Sequence, residues 1–426
     1  MASNPKQQAE RHKAKGLEAY TNLQDAVDKV LGSIKPMGRI EEVPTTLALG
    51  RVTFGDTIAN SDSPSFSLSH MDGFAVIASD LSGAKRREVA LRIVGESKPG
   101  ASRRLRVGHG EAARVSTGAR IPDGADAVIP AEDANEQKGK IVRAKKIGKG
   151  AFVYGVGVDF HKGETLLQKN RRIRAQDVGM LLTLGVKTVD VLDTPTVAVL
   201  ATGSELYDLG NPSPDKVLNT HGPLFANMVR AAGCVPLDMG VSPDEREELS
   251  GRLREALKRA DMVMTLGGTS VGRRDLVADV VRGLKPEAFY HGLRIDRGRV
   301  AGVAVVHRKP LLMLPGPVQG AMNAFVLLGI PTLDKLRGGG SSTTRVKAKL
   351  TGGWSARPRF KHFTKVVYVR LVEGDGLEAE PISGDTESIT VLTKATACVI
   401  VPERVVQMSP GDIVEVNLIP GLSHVW

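Results

Sequence analysis

The sequence predicts a multidomain protein that combines an α/β domain with two β-rich regions. Short apolar runs at residues 197–200, 262–264 and 311–314 alternate with helical patterns, which predicts a right-handed, mostly parallel α/β sheet. Residues 53–142 instead contain short alternating strands separated by Gly and Pro turns. The apolar run at 399–401 is typical of a short barrel strand, so the C-terminal region is expected to be a β-barrel.

These patterns divide the chain into four domains. An amphipathic helix at residues 23–31 opens the first domain, and the Gly-Gly-Gly-Ser-Ser stretch at 338–342 is typical of a flexible linker. The predicted domains are a discontinuous first domain at 17–52 and 143–193, an inserted β domain at 53–142, an α/β ligand-binding domain at 194–336 and a C-terminal β-barrel domain at 343–426.

The composition indicates an intracellular globular protein of several domains. The chain has 426 residues and only two cysteines, Cys234 and Cys398, which lie in apolar settings and make a disulfide framework improbable. It contains no signal peptide and no apolar stretch long enough to cross a bilayer. We therefore expect a cytoplasmic protein without a membrane partner.

The formal charge of +11 indicates anionic small ligands, or simply solubility, and not nucleic acid. The positive residues are dispersed among acids, and aromatic residues that could stack on bases are few. The short clusters Arg103-Arg-Leu-Arg106 and Arg171-Arg-Ile-Arg174 are interpreted as solvated faces.

A glycine-rich turn, Thr265-Leu-Gly-Gly-Thr-Ser-Val-Gly272, joins the apolar strand at 262–264 to a helical run that begins at Leu276. Free N–H groups and the positive end of a helix dipole favour phosphate, carboxylate or another oxyanion at such a turn. The turn is neither a Walker A loop nor a Gly-x-Gly-x-x-Gly motif. Taken alone, it is also compatible with a connection that binds no ligand.

Three acids follow strands of the predicted sheet. Glu205 follows the strand at 197–200, Asp244 follows residues 235–237, and Asp275 follows the glycine-rich turn. Ligands of open α/β sheets bind beyond the carboxyl ends of the strands, so these acids are expected to converge there. Carboxylates beside an anion site suggest Mg²⁺, although any one of them could be a helix cap or a solvated surface group.

Further motifs occur in a fixed order along the chain. They are Ser69-His-Met-Asp-Gly-Phe-Ala-Val76, Ser116-Thr-Gly-Ala119 with Pro122-Asp-Gly-Ala-Asp-Ala-Val128, Thr202-Gly-Ser-Glu-Leu206, Gly267-Gly-Thr-Ser-Val-Gly272, Leu314-Pro-Gly-Pro317 and Ala395-Thr-Ala-Cys-Val-Ile-Val-Pro-Glu403. In these motifs the chain resembles the molybdopterin molybdenumtransferases, the family of MoeA and of the E domains of gephyrin and the plant Cnx proteins. The resemblance covers nearly the whole chain and implies a MogA-like, three-layer α/β domain.

The resemblance implies a role for particular residues. Catalytic positions fall on Asp72, Thr117, Asp159, Glu205, Asp244 and Asp275, of which Glu205, Asp244 and Asp275 would hold Mg²⁺. Residues that would bind the pterin ligand and its anions are Gly267, Gly268, Thr269, Ser270, Val271, Gly272, Arg299, Pro315 and Gly316.

Several positions depart from the family pattern. Arg297-Gly-Arg-Val300 stands where the family commonly has Pro-Gly-Lys-Pro, which replaces a lysine by arginine at position 299. Asp296 replaces another frequent lysine, and His221 stands where an asparagine is usual. The Arg273-Arg274 pair stands where an acid commonly precedes the aspartate, and Leu314-Pro-Gly-Pro-Val318 lacks the usual asparagine. These changes bear on the ligand and on catalytic efficiency more than on the fold.

The resemblance implies an enzyme that inserts molybdate, or tungstate, into adenylylated molybdopterin and releases AMP. It also implies a homodimer whose site is shared between subunits, and contact with a MogA-type adenylyltransferase. Two alternatives stay open at this point. One is a MoeA-like paralogue that binds pterin cofactor or acts as a scaffold, and the other is a nucleotidyl transferase resembling the MogA-type domain.

Overall fold

The protein is described by a computed structural model, which covers residues 20–84, 88–101, 104–143, 145–269 and 275–423. Its α-helices are α1 (Leu23–Ser33), α2 (Ala175–Thr183), α3 (His221–Ala231), α4 (Arg246–Arg259), α5 (Leu276–Gly283), α6 (Val318–Ala324), α7 (Ile330–Arg337) and α8 (Ile389–Lys394). A π-helix, Phe325–Gly329, joins α6 to α7.

The strands of the N-terminal half are β1 (Ile40–Pro44), β2 (Val52–Thr53), β3 (Thr57–Ile58), β4 (Leu68–Ser69), β5 (Gly73–Val76), β6 (Val89–Ser97), β7 (Glu111–Val115), β8 (Ala127–Pro130), β9 (Asn135–Gln137), β10 (Lys140–Arg143), β11 (Val153–Tyr154), β12 (Thr165–Leu167) and β13 (Thr188–Leu192). Those of the central part are β14 (Thr196–Thr202), β15 (Leu206–Tyr207), β16 (Val217–Leu218), β17 (Val235–Ser242), β18 (Met262–Leu266), β19 (Ala288–His291), β20 (Gly302–Val306) and β21 (Lys309–Leu314). The last are β22 (Thr344–Leu350), β23 (Trp354–Ser355), β24 (Lys365–Gly374), β25 (Gly376–Pro381), β26 (Ala397–Val401), β27 (Gln407–Met408) and β28 (Ile413–Leu418).

The chain forms two compact units. Within the described residues, the first unit contains 20–54, 170–178 and 188–423, and the second contains Gly55–Lys169 and Gly179–Lys187. The finer division into four domains stays a prediction.

A six-stranded sheet in the order β17-β14-β18-β21-β20-β19 forms the centre of the first unit. The strands β17, β14, β18 and β21 are parallel, and β20 is antiparallel to both of its neighbours, β21 and β19. Val197 and Val199 face a core that includes α3, α6 and α7, while Ala198 and Leu200 face a core that includes α4 and α5. Successive strand residues point to opposite faces, so helices cover both sides and the expected mostly parallel, three-layer domain is confirmed.

The C-terminal part of the first unit is a closed barrel of β22, β25, β24, β26 and β28. Alternate residues of its strands, such as Val367 and Val369 of β24 and Val399 and Val401 of β26, fill its interior. The predicted C-terminal β-barrel is therefore confirmed.

The second unit contains a mixed six-stranded sheet in the order β8-β5-β7-β6-β10-β9. Its core includes Phe74 and Val76 of β5, Leu91 of β6, Ile129 of β8 and Ile141 of β10. Within the described ranges, none of the helices has the length and apolar character that crossing a bilayer requires.

Candidate active site

The carboxyl ends of four parallel strands lie at one edge of the central sheet. Because β17, β14, β18 and β21 are neighbours in that order, the segments that follow them start side by side. Asp244 follows β17, Glu205 follows β14, Gly267 follows β18 and Pro315 follows β21. The structure thus brings four predicted segments to the same edge, as the strand pattern predicts.

Glu205 and Asp244 are exposed carboxylates linked through one serine. The Ser204 backbone N–H lies 3.4 Å from Oδ2 of Asp244, and the Asp244 N–H donates to the Ser204 hydroxyl at 3.0 Å. The Glu205 carboxylate folds back over Gly203, where an added Cβ would lie 2.5 Å from Oε1 of Glu205. Gly203 therefore lets this carboxylate approach the turn closely, and the two acids form an oxygen-rich edge.

The Asp275 carboxylate is partly buried and has different contacts from those of Glu205 and Asp244. It is the N-cap of α5 and accepts a hydrogen bond from the Ala278 N–H at 3.0 Å. Its Oδ2 lies 2.9 Å from Nε2 of His291, and the two side chains are only 13% and 10% exposed. Among the described residues, no group of three or more His, Cys, Asp or Glu side chains could hold a metal ion, so Glu205, Asp244 and Asp275 are not gathered into one such group.

A first cavity, of about 410 Å³, lies beside Glu205. Glu205, Asn219, His221, Gly267, Gly316 and Glu387 are among the residues that line it, and we call it the carboxylate cavity. Asn219 is fixed by its own contacts, since it donates to Asp208 at 3.0 Å and accepts from the Gly222 N–H at 2.9 Å. Burial lowers the pKa of His221, and the Glu387 carboxylate partly offsets that shift. At neutral pH the cavity therefore presents a neutral imidazole, and the carboxylates of Glu205 and Glu387 also line it.

A second cavity, of about 310 Å³, is lined by basic residues. Thr269, Arg297, Arg299, Pro315, Arg357 and Thr386 are among its lining residues, and we call it the arginine cavity. Pro317 lines both cavities, so they are adjacent. The Thr269 hydroxyl is buried and has no hydrogen-bond partner among the described residues. Such an atom fits a site that a polar ligand completes.

The arginines of the second cavity differ in what holds them. Arg297, with a φ of 54°, donates to Oε1 of Gln319 and to the Gly384 carbonyl, each at 2.6 Å. Arg357 pairs with the buried Asp296. Arg299 lies over the ring of Phe360 at 5.3 Å. Among the contacts of the described residues, Arg299 is therefore the one of these three arginines without a hydrogen bond or ion pair to the protein. Its role at the oxyanion stays a prediction.

Asp296, which stands where the family frequently has a lysine, does not leave an unbalanced negative charge. The Asp296 side chain is 11% exposed and its carboxylate pairs with Arg357. The Asp296 backbone carbonyl accepts from the Asn323 amide at 3.0 Å. The expected weakening of the positive field is thus opposed by an arginine from the C-terminal part of the chain.

The glycines of the turn permit a close approach of backbone segments. An added Cβ at Gly267 would lie 2.7 Å from the Thr202 carbonyl, and one at Gly268 would lie 2.5 Å from the Thr202 hydroxyl. Both glycines also have a positive φ. The other predicted residues of the turn, Ser270, Val271 and Gly272, lie outside the described residues, as do Arg273 and Arg274.

A loop of the C-terminal part contributes to both cavities. Thr386 lines the arginine cavity and Glu387 lines the carboxylate cavity. Gln319 at the start of α6 fixes this loop, because its backbone N–H donates to the Thr386 carbonyl at 3.1 Å and its amide donates to the carbonyls of Asp385 and Ser388. Sequence reasoning missed Arg357, Thr386 and Glu387. The one available signal was the polar, turn-rich run at 383–388.

Asp72, Thr117 and Asp159 all lie in the second unit and are exposed. Oδ1 of Asp72 accepts from the Thr117 N–H at 2.7 Å and lies 3.2 Å from the Thr117 hydroxyl. Gly73, the next residue, allows β5 to contact β8, since an added Cβ would lie 2.0 Å from the Ile129 carbonyl. The structure therefore joins Asp72 and Thr117 into one pair.

Asp159 has separate contacts in this unit. Its backbone N–H donates to the Ser63 carbonyl at 3.0 Å, and the Ser63 hydroxyl lies 3.4 Å from its Oδ2. Its predicted catalytic role stays a prediction.

The fold and the two cavities define a class of protein, an α/β domain with ligand-sized cavities at its sheet edge combined with a β-barrel. Residues 21–185 match the family description "MoeA N-terminal region (domain I and II)", residues 198–335 match "Probable molybdopterin binding domain", and residues 347–419 match "MoeA C-terminal region (domain IV)". The chain belongs to the molybdopterin molybdenumtransferase family, of which MoeA is a member.

Individual relatives agree with this assignment. The molybdopterin molybdenumtransferase of Bacillus subtilis (strain 168) is 30% identical over 406 residues, which cover 93% of this chain and 94% of that protein. The enzyme of the same name from Staphylococcus aureus (strain COL) is 27% identical over 89% of this chain and 85% of that protein. The crystal structure of the molybdopterin biosynthesis MoeA protein from Pyrococcus horikoshii superposes with a TM-score of 0.81 at 31% identity, covering 94% of this chain and 99% of that chain.

Proposed function

We propose that this protein is the transferase of molybdenum cofactor biosynthesis that inserts molybdate, or tungstate, into the dithiolene of adenylylated molybdopterin, with hydrolysis releasing AMP. The observation that carries the proposal is the pair of adjacent cavities at the carboxyl edge of the sheet, one basic and one acidic. Its relatives over most of the chain bear the transferase name, and none of those comparisons favours a pterin-binding scaffold. A lone MogA-type nucleotidyl transferase domain would also leave the N-terminal and C-terminal family matches unexplained.

In this proposal the arginine cavity holds the oxyanion substrate. Arg299 and Arg357 supply guanidinium donors from two different parts of the chain, and Thr269 supplies a buried hydroxyl. Donors held in place before the substrate arrives favour charge that develops on its oxygens, because they need no rearrangement during the reaction. Arg297, bound to Gln319 and Gly384, supports the wall and is a positioning residue.

The phosphate-bearing part of the pterin substrate would lie along the edge that Gly267, Gly268, Pro315 and Gly316 form. One backbone N–H at the N-terminus of α5 is not available to a ligand, because the Ala278 N–H donates to the Asp275 carboxylate. Recognition of phosphate would therefore depend on the close approach that the glycines permit more than on the helix dipole.

The oxygen donors of Glu205 and Asp244 fit a hard cation such as Mg²⁺, whereas both oxygens of Asp275 already have contacts. Mg²⁺, when bound, would neutralise phosphate charge and favour deprotonation of a bound water. Asp275 would join that donor set by giving up its contact with His291. Glu205 and Asp244 would then hold the cation beside the carboxylate cavity.

The proposal extends to the assembly. Asp72, Thr117 and Asp159 would act from the partner subunit of a homodimer, and the adenylylated substrate would come from a MogA-type adenylyltransferase. A cytoplasmic location belongs to the same proposal, which is supported by the family resemblance.

The proposal is tested by incubating the pure protein with adenylylated molybdopterin, Mg²⁺ and either oxyanion while AMP and metal-containing cofactor are measured. AMP release that depends on oxyanion is expected from the wild type, and Glu205→Gln should lower it. Glu245→Gln is the matched control, because Glu245 is an exposed acid next to Asp244 that is not among the described residues lining either cavity. Substrate binding without AMP release under either oxyanion would contradict the proposal.

A further inference from the structure

The second unit contains a cavity of its own, of about 620 Å³. Phe66, Ser97, Lys98, Arg104, Arg120 and Asp123 are among the residues that line it, and we call it the Phe66 cavity. Gly118, which follows Thr117 of the Asp72–Thr117 pair, also lines it. The cavity is thus next to residues assigned to the reaction, although none of its own charged residues has a role in that assignment.

The charges of the Phe66 cavity are unequal. Among the described residues, three cations, Lys98, Arg104 and Arg120, line it together with one carboxylate, Asp123. Lys98 forms an exposed ion pair with Glu96 at 3.2 Å, and the Glu96 carboxylate partly offsets the positive charge of Lys98. Arg104 and Arg120 therefore carry the excess positive charge.

Arg104 belongs to the cluster at 103–106 that the sequence analysis interprets as a solvated face. The structure places Arg104 at the wall of the Phe66 cavity, so that interpretation is incomplete. Arg106, two positions further on, is exposed and is not among the described residues that line the cavity.

Arg120 is held in place by backbone and ring contacts. Its carbonyl accepts from the Ser97 hydroxyl at 2.8 Å, and its backbone forms a bridge with Leu68. Its guanidinium lies 4.8 Å from the centre of the Phe66 ring. Stacking on an aromatic face leaves the planar edge of a guanidinium available for the bidentate hydrogen bonds that phosphate accepts.

We propose that the Phe66 cavity binds the phosphate group of a small phosphate monoester or free phosphate, held between Arg104 and Arg120. The cavity is large enough for a mononucleotide, because small-molecule pockets span about 300–1,000 Å³. Two sources supply this chemistry, a nucleoside monophosphate such as the AMP that the reaction releases, and inorganic phosphate. The binding site itself does not depend on insertase activity.

The test is calorimetric titration of the full chain with AMP, inorganic phosphate and adenosine. It is carried out in the Arg299→Ala background, so that the arginine cavity of the first unit contributes less. We expect AMP or phosphate to bind, adenosine to bind more weakly, and Arg104→Gln to weaken binding by about tenfold or more, as loss of a charge-assisted hydrogen bond implies. Tighter binding of AMP than of phosphate would identify a nucleotide site, and equal binding would identify a phosphate site.

Arg106→Gln is the matched control, since it removes the same charge two residues away from Arg104. Thermal melting of both variants shows that each is folded. The proposal is overturned if neither anion binds, if adenosine binds as tightly as AMP, or if Arg104→Gln and Arg106→Gln have the same affinity.

Discussion

Replacing Arg299 by alanine tests the assignment of the arginine cavity to molybdate or tungstate. Arg299 is half-buried, lines that cavity and contacts the ring of Phe360. Among the described residues no carboxylate forms an ion pair with it, whereas Arg357 is paired with Asp296. A bound oxyanion would therefore be its main charged partner.

The expected loss follows from that partnership. A charge-assisted hydrogen bond contributes about 1.5–3 kcal/mol, so Arg299→Ala should raise the Kd of the oxyanion by about 10- to 150-fold. Affinity for the pterin substrate should change little. Arg299→Lys should retain oxyanion binding and raise turnover, because a compact ammonium fits a tetrahedral anion with fewer geometric demands than a guanidinium fork.

The measurement is calorimetric titration of both oxyanions into wild type and variants. Arg359→Ala is the matched control, since Arg359 also lies over Phe360, at 5.6 Å, but is not among the described residues lining the arginine cavity. Equal affinities of the wild type, Arg299→Ala and Arg359→Ala would refute the reasoning and remove Arg299 from the anion site.

Three further predictions concern other parts of the molecule. Asp275→Asn should lower Mg²⁺-dependent AMP release with little change in Tm, because asparagine is also a good N-cap. Asp275→Ala should lower AMP release and also lose about 1 kcal/mol of stability. Unchanged turnover of the Asn variant at limiting Mg²⁺ would exclude the metal role of Asp275. Mixing Asp72→Ala with Glu205→Ala subunits should restore part of the activity in the heterodimer, and no recovery despite demonstrated subunit exchange would indicate a site within one chain. Burial raises the pKa of the Cys234 and Cys398 thiols to about 12, so both should resist alkylation at pH 8 until the protein unfolds. An unfolded thiol ionises near pH 8.5, so above that pH the unfolded state holds fewer protons than the folded state, and the free energy of unfolding should fall between about pH 9 and 12. Alkylation of the native protein at the rate of a free thiol would contradict the burial of the two thiols.

The central sheet could be predicted because its sequence signals are local. The runs at 197–200, 262–264 and 311–314 are apolar over their whole length, as buried parallel strands are, and all three lie inside observed strands. The rule that ligands bind beyond the carboxyl ends of parallel strands then placed Glu205 and Asp244 at the correct edge.

The contacts of the site could not be predicted in the same way, because they join residues far apart in the chain. Arg357 pairs with Asp296 across 61 positions, and Gln319 binds the loop at 384–388 across more than 60. No periodicity encodes such pairs. Asp275 shows the same limit at short range, since sequence indicates an acid before a helix but not that His291 lies against it.

The loop that Gln319 fixes to α6 also bears on how the protein can be divided. Removing the C-terminal part would take away Arg357, Thr386 and Glu387, so a fragment that ends at α7 would keep the sheet edge but lose a wall of each cavity. The Arg297 side chain would lose its hydrogen bond to the Gly384 carbonyl, and Gln319 would lose its hydrogen bonds to the loop, so the contacts that position both side chains would be gone. Exchanging C-terminal parts between relatives would therefore transfer ligand preference along with the barrel, and a chimaera would need position 319 and the incoming loop to be chosen together.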